Sequence, residues 1–310
     1  MKVCLAAVES LYGHKPCRET DFLKDINHFY SFFYAQNKID GYLFYEGRLK
    51  IVDSGAHTFF AATDVDIGFP MEKREKLKLT ETPEEYVKRY IKWIQKYYDN
   101  FDYFVELDVQ ELVGYDTVLK WRQWYKDAGI STKMMHCYHQ CNTFDEYKEM
   151  VDKCDSRYVG LEGVRKNRKP LPYNKFIKYA YDNKCRVHGF AMIKKEYVNK
   201  HPFYSVDSSS WQVPLRWGSY YFFIPKEGKF RVFVNSLKQI DKVYSKAIEK
   251  KRKKCFKLNT PAEFLESYND EVVKMKLRMT VEANIQFEKY YTDLWERRGI
   301  NWEKQLSLPQ

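Results

Sequence analysis

Short strand-like runs recur along the chain, separated by stretches long enough to hold a helix, and several of them stop at an acid, a glycine or a hydroxyl residue. Val3 to Val8, Gly41 to Val52, Tyr103 to Asp108, Lys133 to Cys137, Arg157 to Gly160, Arg186 to Phe190 and Phe203 to Val206 read as seven strands. Either Ser219 to Ile224 or Phe230 to Val234 supplies an eighth. Strands alternating with helices favour a parallel sheet, and eight such units predict an α/β fold of the (β/α)8 TIM-barrel type. Chemistry in that fold sits at the carboxyl ends of the strands, where the polar residues fall.

The intervening segments carry helical signals. Phe22 to Gln36 has an apolar face of Phe and Tyr, and Thr82-Pro83-Glu84-Glu85 opens a helix running to about Asn100, with Thr as N-cap and Pro in the first turn. Asp116 to Ala128, Phe144 to Cys154 and Tyr173 to Asn183 follow, with Lys194 to Lys200 as a short helix or turn. Thr58 to Thr80 is long for a connection inside a domain and reads as a lid or substrate-binding loop. From Ser236 the sequence turns to continuous helix formers. We therefore expect a barrel catalytic domain over residues 1–235 and a C-terminal helical extension over 236–310 packed on it.

With 44% hydrophobic and 31% charged residues, the chain does not fit a disordered or fibrous class. No apolar run approaches the ~18 residues of a membrane span, and Met1-Lys2-Val3-Cys4 leads into a strand, so a cytoplasmic protein is expected. Seven cysteines without framework spacing fit reduced thiols. Cys137 and Cys141 lie beside His136 and His139, but no second Cys/His cluster completes a zinc set, so neither metal nor cofactor is expected. The net charge of +11 points to a polyanionic partner. Two basic runs are the expected phosphate contacts: Arg165, Lys166, Arg168 and Lys169, and then Lys250, Lys251 and Arg252.

Two strand ends stand out chemically. Phe203-Tyr204-Ser205-Val206 runs into Asp207, then Ser208, Ser209, Ser210 and Trp211. A carboxylate where a core strand stops is poorly solvated, which suits a functional acid, although Asp207 as a helix cap is an equal reading at this point. Ile51-Val52 runs in the same way into Asp53, followed by Ser54 and Gly55.

Laid side by side, these strand ends resemble the tRNA-guanine transglycosylase superfamily, most closely its shorter relatives from phages and bacterial gene clusters that put 7-deazaguanines into DNA. Val52-Asp53-Ser54-Gly55 resembles the family's Asp-Ser-Gly-Gly motif, with Ala56 in place of the second Gly. Leu107-Asp108 is similar to the segment whose Asp reads the guanine edge, and Gly160-Leu161-Glu162-Gly163 to the Gly-rich strand end that offers backbone groups to the base. Val187-His188-Gly189-Phe190, followed by Ser205-Val206-Asp207-Ser208, resembles the segment carrying the nucleophile. The likeness spans Met1 to Val234, and the zinc motif of the tRNA enzymes has no counterpart.

The resemblance implies a base exchange in which Asp207 attacks C1′ of the sugar, Asp53 serves as acid and base, and Asp108 pairs with the guanine edge. Ser54, Gly55, Gly160, Leu161, Gly163 and Gly189 would line the base site. The family's base-contacting Gln corresponds to His136 or to Gln140. DNA is the expected partner, tRNA the alternative, and a 7-deazaguanine base the small substrate. His188 on an apolar run reads as a core histidine. Tyr204 and Trp211 are possible aromatic lining. Two readings compete: an inactive nucleic-acid-binding barrel, and a barrel acting on phosphorylated sugars with a phosphate site near Ser208 to Ser210.

Overall fold

Eight parallel strands close on themselves in sequence order: β1 (Lys2–Ala6), β2 (Asn27–Ser31), β3 (Leu49–Asp53), β4 (Tyr103–Val105), β5 (Met134–Tyr138), β6 (Tyr158–Leu161), β7 (Arg186–Gly189) and β8 (Ser205–Ser208). The structure is a computed structural model that describes residues 1–9, 21–36, 46–56, 81–164, 169–212, 220–233 and 270–307. Closure comes from β8 pairing with β1, Lys2 opposite Ser205 and Cys4 opposite Asp207. The (β/α)8 reading holds, and all eight carboxyl ends open at one mouth.

The strand count is reached differently from the sequence reading. Within the predicted helix Phe22 to Gln36, residues Asn27–Ser31 form β2, leaving only the four-residue helix α1 (Phe32–Ala35) after it. Alternation is present there: Phe29 stacks on His188 across the lumen, while Tyr30 packs edge-on against Phe101. It is masked because aromatic residues occupy both faces of the strand. Since β2 fills this place, Phe203 to Val206 belongs to the eighth strand. The later runs, β9 (Tyr220–Ile224) and β10 (Lys229–Phe233), pair antiparallel as a hairpin outside the barrel.

Helices α2 (Pro83–Tyr97), α3 (Gln110–Val113), α4 (Tyr115–Asp127), α5 (Phe144–Lys153), α6 (Tyr173–Asp182) and α7 (Lys195–Val198) follow their strands. Thr82 caps α2 reciprocally with Glu85: the Glu85 N–H donates to Thr82 Oγ1 at 3.2 Å and the Thr82 N–H to Glu85 Oε2 at 2.8 Å. Such a box stabilises a helix start by about 1 kcal/mol. Thr143 and Glu146 repeat it at α5.

Two further helices, α8 (Asp270–Arg297) and α9 (Trp302–Ser307), reach the amino ends of the strands, opposite the mouth. Glu288 of α8 accepts from the Val3 N–H at 2.7 Å and from Asn27 Nδ2 at 2.8 Å, and is ion-paired with Arg48. One carboxylate thus ties β1, β2 and the entry to β3. Phe287 of α8 stacks on Phe230 of the hairpin, centroids 4.6 Å apart. No described helix is long and apolar enough to cross a membrane.

Candidate active site

Asp53 ends β3 with its side chain partly buried at the mouth. The following turn needs Gly55, whose φ of +82° folds its N–H back to donate to Asp53 Oδ2 at 2.9 Å. A Cβ at Gly55 would lie 2.7 Å from Phe33 Cβ, so the glycine lets α1 approach closely. Burial pushes the Asp53 carboxyl up to about 7, against the Gly55 hydrogen bond and with the Asp108 and Asp207 charges adding to the rise. Asp108 and Asp207 are thus both within electrostatic reach of Asp53. Ser54 is fully buried; its carbonyl accepts from Tyr86 OH at 2.7 Å, and its Oγ has no partner among the described residues.

Asp207 lies in β8 and its side chain is 13% exposed. Two groups converge on its Oδ1: His188 Nε2 lies 3.2 Å away and the Ala191 N–H donates at 2.7 Å. Ala191 holds a φ of 55°, a left-handed conformation costly for a residue with a Cβ. Among the described residues Asp207 caps no helix through a side-chain bond; that turn is closed by Ser208 Oγ, which accepts from the Ser210 N–H at 3.0 Å. His188 is fully buried, as expected of a core histidine, yet one of its partners is the candidate nucleophile.

Asp108 stands just past β4, its side chain 28% exposed and in ion-pair contact with His139 Nε2. His139 Nδ1 lies 3.9 Å from Glu162 Oε2. Burial alone would lower the imidazole's pKa, but the Asp108 and Glu162 charges outweigh it and raise it. Neither expected base-contacting residue takes this place. His136 points the other way, into a cavity of about 260 Å³ between α4 and α5 lined also by Tyr115, Arg122 and Met150. Gln140 turns aside, its Nε2 donating to the Lys169 carbonyl at 2.7 Å and its N–H to Glu162 Oε1 at 2.9 Å. In β5 the lumen-facing residues are one place out of step with His136. Cys137 faces the acids, and His139 follows it on the same side.

The glycine-rich ends of β6 and β7 serve packing. A Cβ at Gly160 would lie 2.4 Å from the Phe190 ring, one at Gly163 2.5 Å from the Phe190 carbonyl, and one at Gly189 2.9 Å from the Phe203 ring. Leu161 is fully buried and its carbonyl accepts from the Phe190 N–H at 3.1 Å. Gly160, Leu161 and Gly189 are thus engaged by Phe190 and Phe203, and Phe190, seated on Gly160, is the partly exposed aromatic surface there. Gly163 stays at the mouth beside it. Phe190 was not singled out in the sequence, where it read only as the end of an apolar run.

Glu106 is structural. Arg122 grips it with two hydrogen bonds, at 2.9 and 2.7 Å, and the Cys137 N–H donates to it at 2.6 Å. Burial opposes its charge, but the Arg122 guanidinium overrides that and holds its pKa low. Trp211 is wholly buried, donating to the Ala6 carbonyl at 2.8 Å, and Tyr204 lies against Trp302 and Lys2 at the closed end, so neither lines the mouth. Arg165, Lys166, Arg168, Lys250, Lys251 and Arg252, and the loop Thr58 to Thr80, fall outside the described residues; Lys169 is exposed near the mouth. Among the described residues no group of three or more His, Cys, Asp or Glu is placed to hold a metal ion.

No family model, curated protein or solved structure matches the chain. The site must therefore be judged on its chemistry. It offers a hydrogen-bonded carboxylate, a second carboxyl titrating near neutrality, a carboxylate–imidazole pair and an aromatic ring at the open end of a barrel. That set can supply both a nucleophile and an acid–base group.

Proposed function

We propose that this protein is a base-exchange transglycosylase that replaces guanine in DNA with a 7-deazaguanine base through a covalent glycosyl-enzyme. The observation carrying the proposal is the convergence of Asp53, Asp108 and Asp207 at one mouth, with Asp53 raised to about 7. Two carboxyl groups in different environments divide the work of a retaining displacement.

Asp207 attacks C1′ as the bond to guanine breaks. Both of its described donors fall on Oδ1, which leaves Oδ2 as the attacking oxygen. Asp53, in its protonated form, gives its proton to the departing base. The incoming 7-deazaguanine then loses its N9 proton to the Asp53 carboxylate and attacks C1′, releasing Asp207 and restoring the starting state. Asp108, braced by His139, accepts from the guanine N1–H and 2-amino group, an edge adenine does not present. Phe190 supplies a face for the extruded base. The net charge of +11 favours a nucleic-acid substrate over a free nucleoside.

The test is incubation with labelled 7-cyano-7-deazaguanine and either guanine-containing DNA or tRNA. Label in DNA supports the proposal. Label in tRNA alone moves the same chemistry to tRNA, and label in neither removes the transglycosylase reading.

A further inference from the structure

We propose that His188 is a positioning residue for Asp207, locked in its Nε2–H tautomer by a hydroxyl chain running from Tyr158 through Ser205. The inference deepens the reading of Asp207 as nucleophile and rests on it.

Four side chains form a line across the lumen. Tyr158 OH contacts Ser205 Oγ, Ser205 Oγ lies 2.6 Å from His188 Nδ1, and His188 Nε2 lies 3.2 Å from Asp207 Oδ1. Tyr158, Ser205 and His188 are fully buried, so none can turn to water.

Counting hydrogens decides the direction. With a neutral imidazole and an ionised Asp207, the line owns three: one on Tyr158, one on Ser205 and one on the ring. It has three contacts to fill. If Tyr158 donates to Ser205, Ser205 to Nδ1 and Nε2–H to Asp207, every hydrogen has an acceptor. The Nδ1–H tautomer fails twice. It sets a nitrogen lone pair against the Asp207 carboxylate, and it crowds two hydroxyl hydrogens into the single Tyr158–Ser205 contact. Leaving a buried donor unmade costs about 1–3 kcal/mol, enough to select one tautomer.

The ring plane is fixed as well. Phe29 stacks on the imidazole with centroids 5.3 Å apart and planes 2° from parallel, and Phe190 meets it edge-on at 4.8 Å. The strained Ala191 N–H adds a second donor to the same carboxylate oxygen. Asp207 is thereby held at Oδ1 from two directions, with no described donor on Oδ2, the oxygen that points at C1′. A nucleophile displaced by about 1 Å loses on the order of 10²-fold in rate.

Two readouts test this. In 15N-histidine-labelled wild-type protein, the His188 ring nitrogens should report the Nε2–H tautomer, and in Ser205→Ala they should report a mixture. In base-exchange kinetics, His188→Ala and Ser205→Ala should lower kcat on the order of 10²-fold and 10-fold with KM for the base nearly unchanged. His188→Gln, whose amide nitrogen reaches toward Oδ1, should recover part of the His188→Ala loss. Wild-type kcat in Ser205→Ala, or an Nδ1–H signal in the wild type, overturns the inference; Ser205→Ala decides where His188→Ala does not fold. Absence of exchange by the wild type would instead overturn the reading of the site, while the nitrogen spectrum would still answer for the tautomer.

Discussion

Asp108 and His139 are in ion-pair contact at the barrel mouth, and the second nitrogen of that imidazole lies 3.9 Å from Glu162 Oε2. The imidazole therefore sits between two acids, and its raised pKa follows from their charge. One consequence is mechanical: His139 braces Asp108 from one side, which on the proposed function leaves its other edge for the base. Asp108→Asn should cut kcat/KM on the order of 10²-fold and narrow the preference for guanine over adenine, because the amide sets a donor against the donors of the guanine edge. Competition assays with guanine- and adenine-containing substrates measure this. Unchanged selectivity would remove Asp108 from base recognition.

The pH dependence follows from Asp53, whose carboxyl is raised from 3.8 to about 7. On the proposed mechanism the free enzyme needs the protonated form, so kcat/KM should fall about tenfold per unit above pH 7. Asp53→Asn should be slow at every pH and lack this limb. Stability moves in a related way. The protonated native form contributes stability fully present below pH 3.8, and this is lost as pH rises through about 7. Asp53→Asn should therefore gain on the wild type between those values, by on the order of 2 kcal/mol at pH 8. Urea unfolding at pH 4 and pH 8 tests the sign.

Glu106 carries the opposite prediction. Arg122 and the Cys137 N–H consume its carboxylate within the wall between β4 and β5. Glu106→Ala should lower the unfolding free energy by about 3–5 kcal/mol, because Arg122 is left buried and unpaired. The guanine-to-adenine ratio should stay as it is. A stable variant with altered selectivity would place Glu106 in the base site instead.

Gly160 and Phe190 form a testable pair. Gly160→Ala should destabilise by roughly 1–3 kcal/mol, since its Cβ would lie 2.4 Å from the Phe190 ring. In a Phe190→Ala background the same change should cost less than about 0.5 kcal/mol. A full cost in both backgrounds would show that something other than the ring excludes a side chain there.

What the sequence disclosed, and what it hid, follows from the geometry of strands. Asp53 and Asp207 were legible because a core strand ending in an acid is unusual whatever its partners. The helices were legible through caps such as Thr82 with Glu85. β2 was not, because His28, Phe29 and Tyr30 are apolar or aromatic on both faces and show no period of two. The residue opposite Asp108 was missed by parity: a strand places alternate residues in the lumen, so His136 faces the helices while Cys137 and His139 face the acids. His188 was legible as buried, but its tie to Asp207 joins two different strands and exists only once the barrel has closed.

The central claim is that Asp207 forms the bond to the sugar. Incubating the protein with guanine-containing DNA in the absence of a competing base, quenching in acid and mapping peptides by mass spectrometry tests it most directly. The account predicts a deoxyribose-linked adduct on the peptide carrying Asp207, lost in Asp207→Asn and discharged by added 7-cyano-7-deazaguanine. An adduct on Asp53, or base exchange that proceeds undiminished in Asp207→Asn, would contradict it.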